Sequence, residues 1–220
     1  MTSRTPTFDR RRRIFAAAVA LSLLSITACT GGGTTPGATA APESSSPTAS
    51  PARTATPTPT ASYKPADASG RAQNVPVPVL PEAAKAETKE GLEAFARHWY
   101  ALLTYAYETG DIGPLEAVSG PSCTSCERVK EVVQGWHSDG RWLAGGKLVV
   151  EGAQSKFIET GPSEYQVLVQ VHQEPLSYYR ADKTLDEKTD PSPAVGDIMV
   201  ATYESGGWKA ITVEHLAKSE

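Results

Sequence analysis

Thr88-Lys89-Glu90-Gly91-Leu92-Glu93-Ala94-Phe95-Ala96-Arg97-His98-Trp99-Tyr100-Ala101-Leu102-Leu103-Thr104-Tyr105-Ala106-Tyr107-Glu108 is the stretch whose pattern sets the fold. Leu92, Phe95, Ala96, Trp99, Leu102, Leu103 and Ala106 recur at steps of three and four, which is one apolar face of an α-helix. Gly110 stands where a left-handed C-terminal cap belongs, and Asp111 begins a new turn. A short second helix is expected over Pro114 to Val118, ended by Gly120-Pro121. A third is expected from about Ser122 to Trp136, with Cys126, Val129, Val133 and Trp136 on one face.

The period changes after Gly140. Lys147 to Glu159 reads as a strand interrupted by Gly152, and Gly161-Pro162-Ser163 as a turn. From Tyr165 to His172, Tyr165, Val167, Val169 and Val171 alternate with Gln166, Leu168, Gln170 and His172, a half-buried strand. Ser177 to Arg180 is a further strand candidate. Asp182 to Pro193 is polar enough for a loop or a hairpin tip. Asp197 to Glu204 and Trp208 to Glu214 are strands joined by Ser205-Gly206-Gly207, a hairpin signal. Helices followed by strands imply an α+β domain. The expectation is three N-terminal helices packed on one curved antiparallel sheet of about four strands, preceded by a disordered linker.

Working outward from the helix, composition sets the boundaries. All four tryptophans and most of the eight tyrosines lie after Leu92, so the foldable part is roughly residues 82–220. A domain of that size buries about two-thirds of its unfolded surface, enough for a core of its own. Residues 29–81 are rich in Thr, Ala, Pro and Ser, and Thr30 to Ser62 holds no aromatic residue. Such a segment cannot offset its chain entropy by burial and is expected to be a disordered tether. Extended over about 50 residues it would reach roughly 150 Å, and as a coil nearer ~40 Å. Its Ser/Thr/Pro content also permits O-glycosylation.

Residues 1–28 carry a basic start (Arg10 to Arg13) and an apolar run of about 15 residues, Ile14 to Ala28, the make-up of an export signal. That run is shorter than the ~20 apolar residues of a comfortable membrane span. Arg12-Arg13-Ile14-Phe15 leaves both the general and the twin-arginine export routes open. The run ends in Leu24-Ser25-Ile26-Thr27-Ala28-Cys29, which resembles the lipobox of bacterial lipoproteins. The resemblance implies cleavage before Cys29, acylation of its thiol, and a protein held on the outer face of the cell membrane. Two acyl chains on one residue meet the requirement for stable anchoring.

Removing residues 1–28 takes away five arginines and Asp9, leaving 16 basic against 24 acidic residues, a net charge of −8. With no basic patch, nucleic acid is excluded as a partner. The expected partners are the bilayer, through acylated Cys29, and an unidentified envelope ligand or protein.

With Cys29 set aside, Cys123 and Cys126 remain, and export puts them in an oxidising setting where a disulfide is expected. Their spacing at a helix start also occurs in thiol redox enzymes, but those place it after a strand. His98, His137, His172 and His215 stand at no spacing that completes a metal site with them. No metal and no cofactor is expected. Phosphate-loop, Gly-x-Ser-x-Gly, His-Glu-x-x-His and dinucleotide motifs are absent.

Ala94 to Tyr100, running on to Glu108-Thr109-Gly110-Asp111, together with Trp208 at the start of a closing strand, resembles the nuclear-transport-factor-2-like (cystatin-like) cone. Phe95 to Gly120 followed by Cys123-Thr124-Ser125-Cys126 is also similar to an uncharacterised domain family carried by lipoproteins of high-GC Gram-positive bacteria. The cone implies an apolar pocket lined by Trp99, Tyr100, Trp136, Trp142, Tyr165 and Trp208, with His98 and His137 as the nearest acid–base candidates. Some cone proteins are isomerases or dehydratases. None of these residues lies in a catalytic motif, so no catalytic residue is assigned. A ligand- or partner-binding domain is the leading expectation, a small cone enzyme the alternative and thiol–disulfide exchange the third.

Overall fold

The computed structural model describes residues 61–216. The export segment, Cys29 and the tether up to residue 60 lie outside the described residues. Three α-helices, α1 (Lys89–Thr109), α2 (Gly113–Ala117) and α3 (Thr124–His137), precede eight strands. The strands are β1 (Trp142–Gly145), β2 (Leu148–Gln154), β3 (Glu159–Gly161), β4 (Glu164–Gln173), β5 (Leu176–Tyr179), β6 (Leu185–Thr189), β7 (Val195–Glu204) and β8 (Gly207–His215).

The expected frame of three helices on one sheet of about four strands does not hold. There are two antiparallel sheets: five strands with the path β2-β4-β7-β8 and β3 beside β4, and three strands in the order β1-β5-β6. The helical part is also thinner than expected. Helix α1 lies along the inner face of the larger sheet; α2 is five residues long, and α3 sits against β8 of that sheet and β1 of the other. The physical reason for the second sheet is a corner. Gly145 and Gly146 both adopt left-handed backbone, with φ of 81° and 72°. A Cβ on Gly145 would overlap the Pro175 carbonyl oxygen, and one on Gly146 would come within 2.7 Å of the Leu176 side chain. One long ribbon, β1-β2 against β4-β5, therefore bends at Gly145-Gly146 and Glu174-Pro175 and divides between the sheets. Short pieces such as β1 and β6 carry too little alternation to be seen in sequence.

Helix α1 forms as its pattern demands. The Thr88 side chain accepts the Gly91 N–H at 3.0 Å, and Gly110 closes the helix in left-handed conformation with φ 79°. Its apolar face packs Leu92, Phe95, Ala96 and Trp99 onto Val167, Val169, Met199 and Ala201 of the sheet. The link after α2 covers the sheet edge: Gly120 N–H donates to Ala210 O at 2.7 Å and Ala210 N–H to Val118 O at 3.0 Å.

Residues 61–81, which composition assigns to the tether, make contacts with the domain. Lys64 and Gln73 pair backbone to backbone. The Trp142 indole N–H donates to Asp67 O at 3.0 Å, and Tyr63 Oη to Glu108 at 2.6 Å. Among the described residues no helix is long and apolar enough to cross a membrane.

Candidate functional site

Where α1 and α3 face the inner surface of the larger sheet, they leave an open cavity of about 500 Å³. Helical spacing supplies two of its walls. Trp99, Leu103 and Tyr107 repeat every four residues on α1, and Ser125, Arg128, Val129 and Val132 follow the three-and-four step on α3. The strands add Leu148, Val171, Val195 and Val213, so most of the lining is apolar.

The polar end comes from the closing strands. Asp197 on β7 and His215 on β8 are register partners, and both line the cavity. Asp197 is 3% exposed. Both of its carboxylate oxygens are bonded, one by the Tyr100 hydroxyl and the other by His215 Nδ1. Tyr100 is held protonated far above the ordinary phenol range, first by burial and then by this hydrogen bond to Asp197. Burial, with Tyr178 nearby, also pushes Tyr107 up to about 12. At the rim, His172 Nδ1 lies 2.9 Å from Glu151, while Arg128 is exposed on α3.

Of the eight residues expected at the pocket, Tyr165 and Trp208 pack against Phe157, and only Trp99 and Tyr100 line the cavity. Trp136 stands behind it, edge-on to Tyr107 at 5.4 Å and to Tyr178 at 5.6 Å. Trp142 stacks on Tyr179 at 5.3 Å in the smaller sheet. His98 is buried, and burial lowers its proton affinity. His137 ends α3: its Nε2 donates to Tyr107 O at 2.8 Å, and its buried Nδ1 has no partner among the described residues. Burial lowers its proton affinity too, ahead of the opposing Tyr107 bond.

Asp197 and His215 are the cavity residues that sequence reasoning missed, while Tyr100 was expected at the pocket. The parity of Val195, Asp197, Met199 and Ala201 was the available signal, since it places a carboxylate on the buried face of a strand. Cys123 and Cys126 are joined in a disulfide, with Cα atoms 5.2 Å apart. Among the described residues no group of three or more His, Cys, Asp or Glu is placed to hold a metal ion.

A model of a family of unknown function (DUF6318) matches residues 61–214. Comparison with curated proteins gives no match. Among solved structures, the intermembrane-space region of the chloroplast protein ARC6 is similar at 12% identity and a TM-score of 0.45, over 60% of this chain and 98% of that one. Aln2 from a Streptomyces species is similar at 12% identity and 0.38, over 57% and 89%. An NTF2-like protein with a cystatin-like fold from Novosphingobium aromaticivorans follows at 13% and 0.34, over 56% and 81%. These scores lie below 0.5, so the fold stands on the chain's own topology.

Proposed function

We propose, for a chain that belongs to this family of unknown function, a lipid-anchored domain on the outer face of the cell membrane that binds a small amphiphilic ligand in the α1–α3 cavity. Leu24 to Cys29 supports the anchor: a small-residue run ending in cysteine after an apolar segment suits signal cleavage and acylation. The composition of residues 29–60 suits a spacer that lifts the domain from the bilayer.

One observation carries the binding reading. The cavity of about 500 Å³ joins an aromatic and aliphatic lining to polar groups at its edge, Asp197 and His215 on the closing strands and Arg128 on α3. That combination receives an apolar body and orients it by a few polar and charged groups, Arg128 among them for an anionic head. Titration with 8-anilinonaphthalene-1-sulfonate, an apolar probe with a charged head, tests it. Val129→Trp narrows the cavity from the less buried helix. Binding at least tenfold weaker in this variant, at unchanged melting temperature, supports the reading; unchanged affinity contradicts it.

The bond between Asp197 and His215 favours a second reading, catalysis. With Nδ1 donating to the carboxylate, the other ring nitrogen is left as a proton acceptor. A base at the exposed edge of the cavity would speed exchange of an enolisable ketone proton with deuterium from solvent. Equal rates in the native protein and His215→Gln would exclude it.

A further inference from the structure

The two sulfurs of the disulfide lie in unequal surroundings. Cys123 is 1% exposed and caps the N-terminus of α3. Its sulfur accepts the Cys126 N–H at 3.3 Å and lies 3.5 Å from the Ser125 hydroxyl. Cys126 is half-buried and lines a second cleft of about 260 Å³ between α2, the Ser119–Pro121 link and α3. Ile112, Leu115 and Pro121 make part of that cleft apolar, and Glu116 and Glu127 give it acid groups. A thiolate entering from solvent meets the Cys126 sulfur and is kept from Cys123 by burial.

We propose that the Cys123–Cys126 bond is a thiol–disulfide exchange site, opened at Cys126 by an exported dithiol protein of the reductase class. The incoming thiolate bonds to Cys126 Sγ. The bond to Cys123 breaks, and its electron pair leaves on Cys123 Sγ. The Cys126 N–H, the Ser125 hydroxyl and the positive end of the α3 dipole stabilise that thiolate. The second thiol of the partner, once deprotonated, attacks its own sulfur in the mixed disulfide, and Cys126 departs as a thiolate that takes up a proton. The partner dithiol is oxidised and this disulfide is reduced by the same two electrons.

The exchange reaches the larger cavity through Ser125, which lies between the two cysteines. Its hydroxyl accepts the Val213 N–H at 3.0 Å and so ties α3 to β8. Ser125, Arg128 and Val129 belong to the cavity wall, so opening the disulfide that closes the first turn of α3 loosens the turn that carries Ser125.

The test uses the full-length chain with Cys29→Ala and a thioredoxin-type protein whose resolving cysteine is replaced by serine. This probe traps the mixed disulfide, and peptide mapping by mass spectrometry locates it. The expected result is an adduct on Cys126 in at least tenfold excess. An adduct on Cys123 overturns the proposal. So does the absence of an adduct over a time in which the urea-unfolded chain is fully captured. With Ellman's reagent, Cys123→Ser in the same background is expected to react at least tenfold faster than Cys126→Ser, and equal rates overturn the proposal.

Discussion

Of the 21 residues of α1 ten are buried, whereas α3 buries Val133 alone among its 14. Both helices wall the same cavity. Helix α1 is fixed by hydrophobic burial against the larger sheet, a force spread over its whole length. Helix α3 is held by Val133 in the core, by Ser125 against β8 at one end and by His137 against Tyr107 at the other, while the Cys123–Cys126 bond closes its own first turn. One wall is therefore part of the core, and the other is an attachment that can give. A cavity built this way keeps its shape on one side and adapts on the other.

The contrast is sharpest where each wall is cut. Phe95→Ala removes a side chain 1% exposed in the core and is expected to cost about 3–5 kcal/mol, lowering the thermal midpoint of the whole domain. Calorimetry checks it, and a loss confined to α3 would break the contrast. Reduction of the disulfide is expected to cost less, about 2 kcal/mol for so short a loop in the chain-entropy model. Its effect should concentrate in the amides of α3 and β8, read by hydrogen exchange.

The smallest expected effect is on pH. Burial lowers the proton affinity of His137 below its ordinary 6.5, and of His98 likewise. The unfolded chain then binds more protons than the folded one as pH falls below about 6.5, so stability is full above that value and declines below it. Urea midpoints between pH 7.5 and 5.5 measure the slope. His137→Gln should flatten it, because the buried ring whose Nδ1 has no partner is then gone.

Much of this was legible in the chain. The three-and-four step of Leu92 to Ala106 specifies α1 and its buried face, since one side of a helix must leave water. The alternation of Tyr165 to His172 specifies β4, and Ser205-Gly206-Gly207 lies at the β7–β8 turn. The division into two sheets was not legible. It depends on Gly145 and Gly146 meeting Pro175 and Leu176, a contact between distant positions that no local pattern carries. The site was read less well than the fold. Trp136, Trp142, His98 and His137 are conspicuous by type, but three of them serve aromatic packing or a helix end and His98 is simply buried. Asp197 and His215 lie on strands far from the aromatic helix and join Tyr100 only through the register of β7 with β8 and its meeting with α1.

The central claim is that the cavity between a fixed wall and a pinned wall is a ligand site. Hydrogen–deuterium exchange of the native protein with and without saturating 8-anilinonaphthalene-1-sulfonate tests it most directly. The expected result is slower exchange in α3 and in residues 213–215 of β8, with α1 unchanged because it is already held by the core. Unchanged exchange in α3, or protection appearing only on the outer face of the larger sheet around Leu168, would contradict the claim.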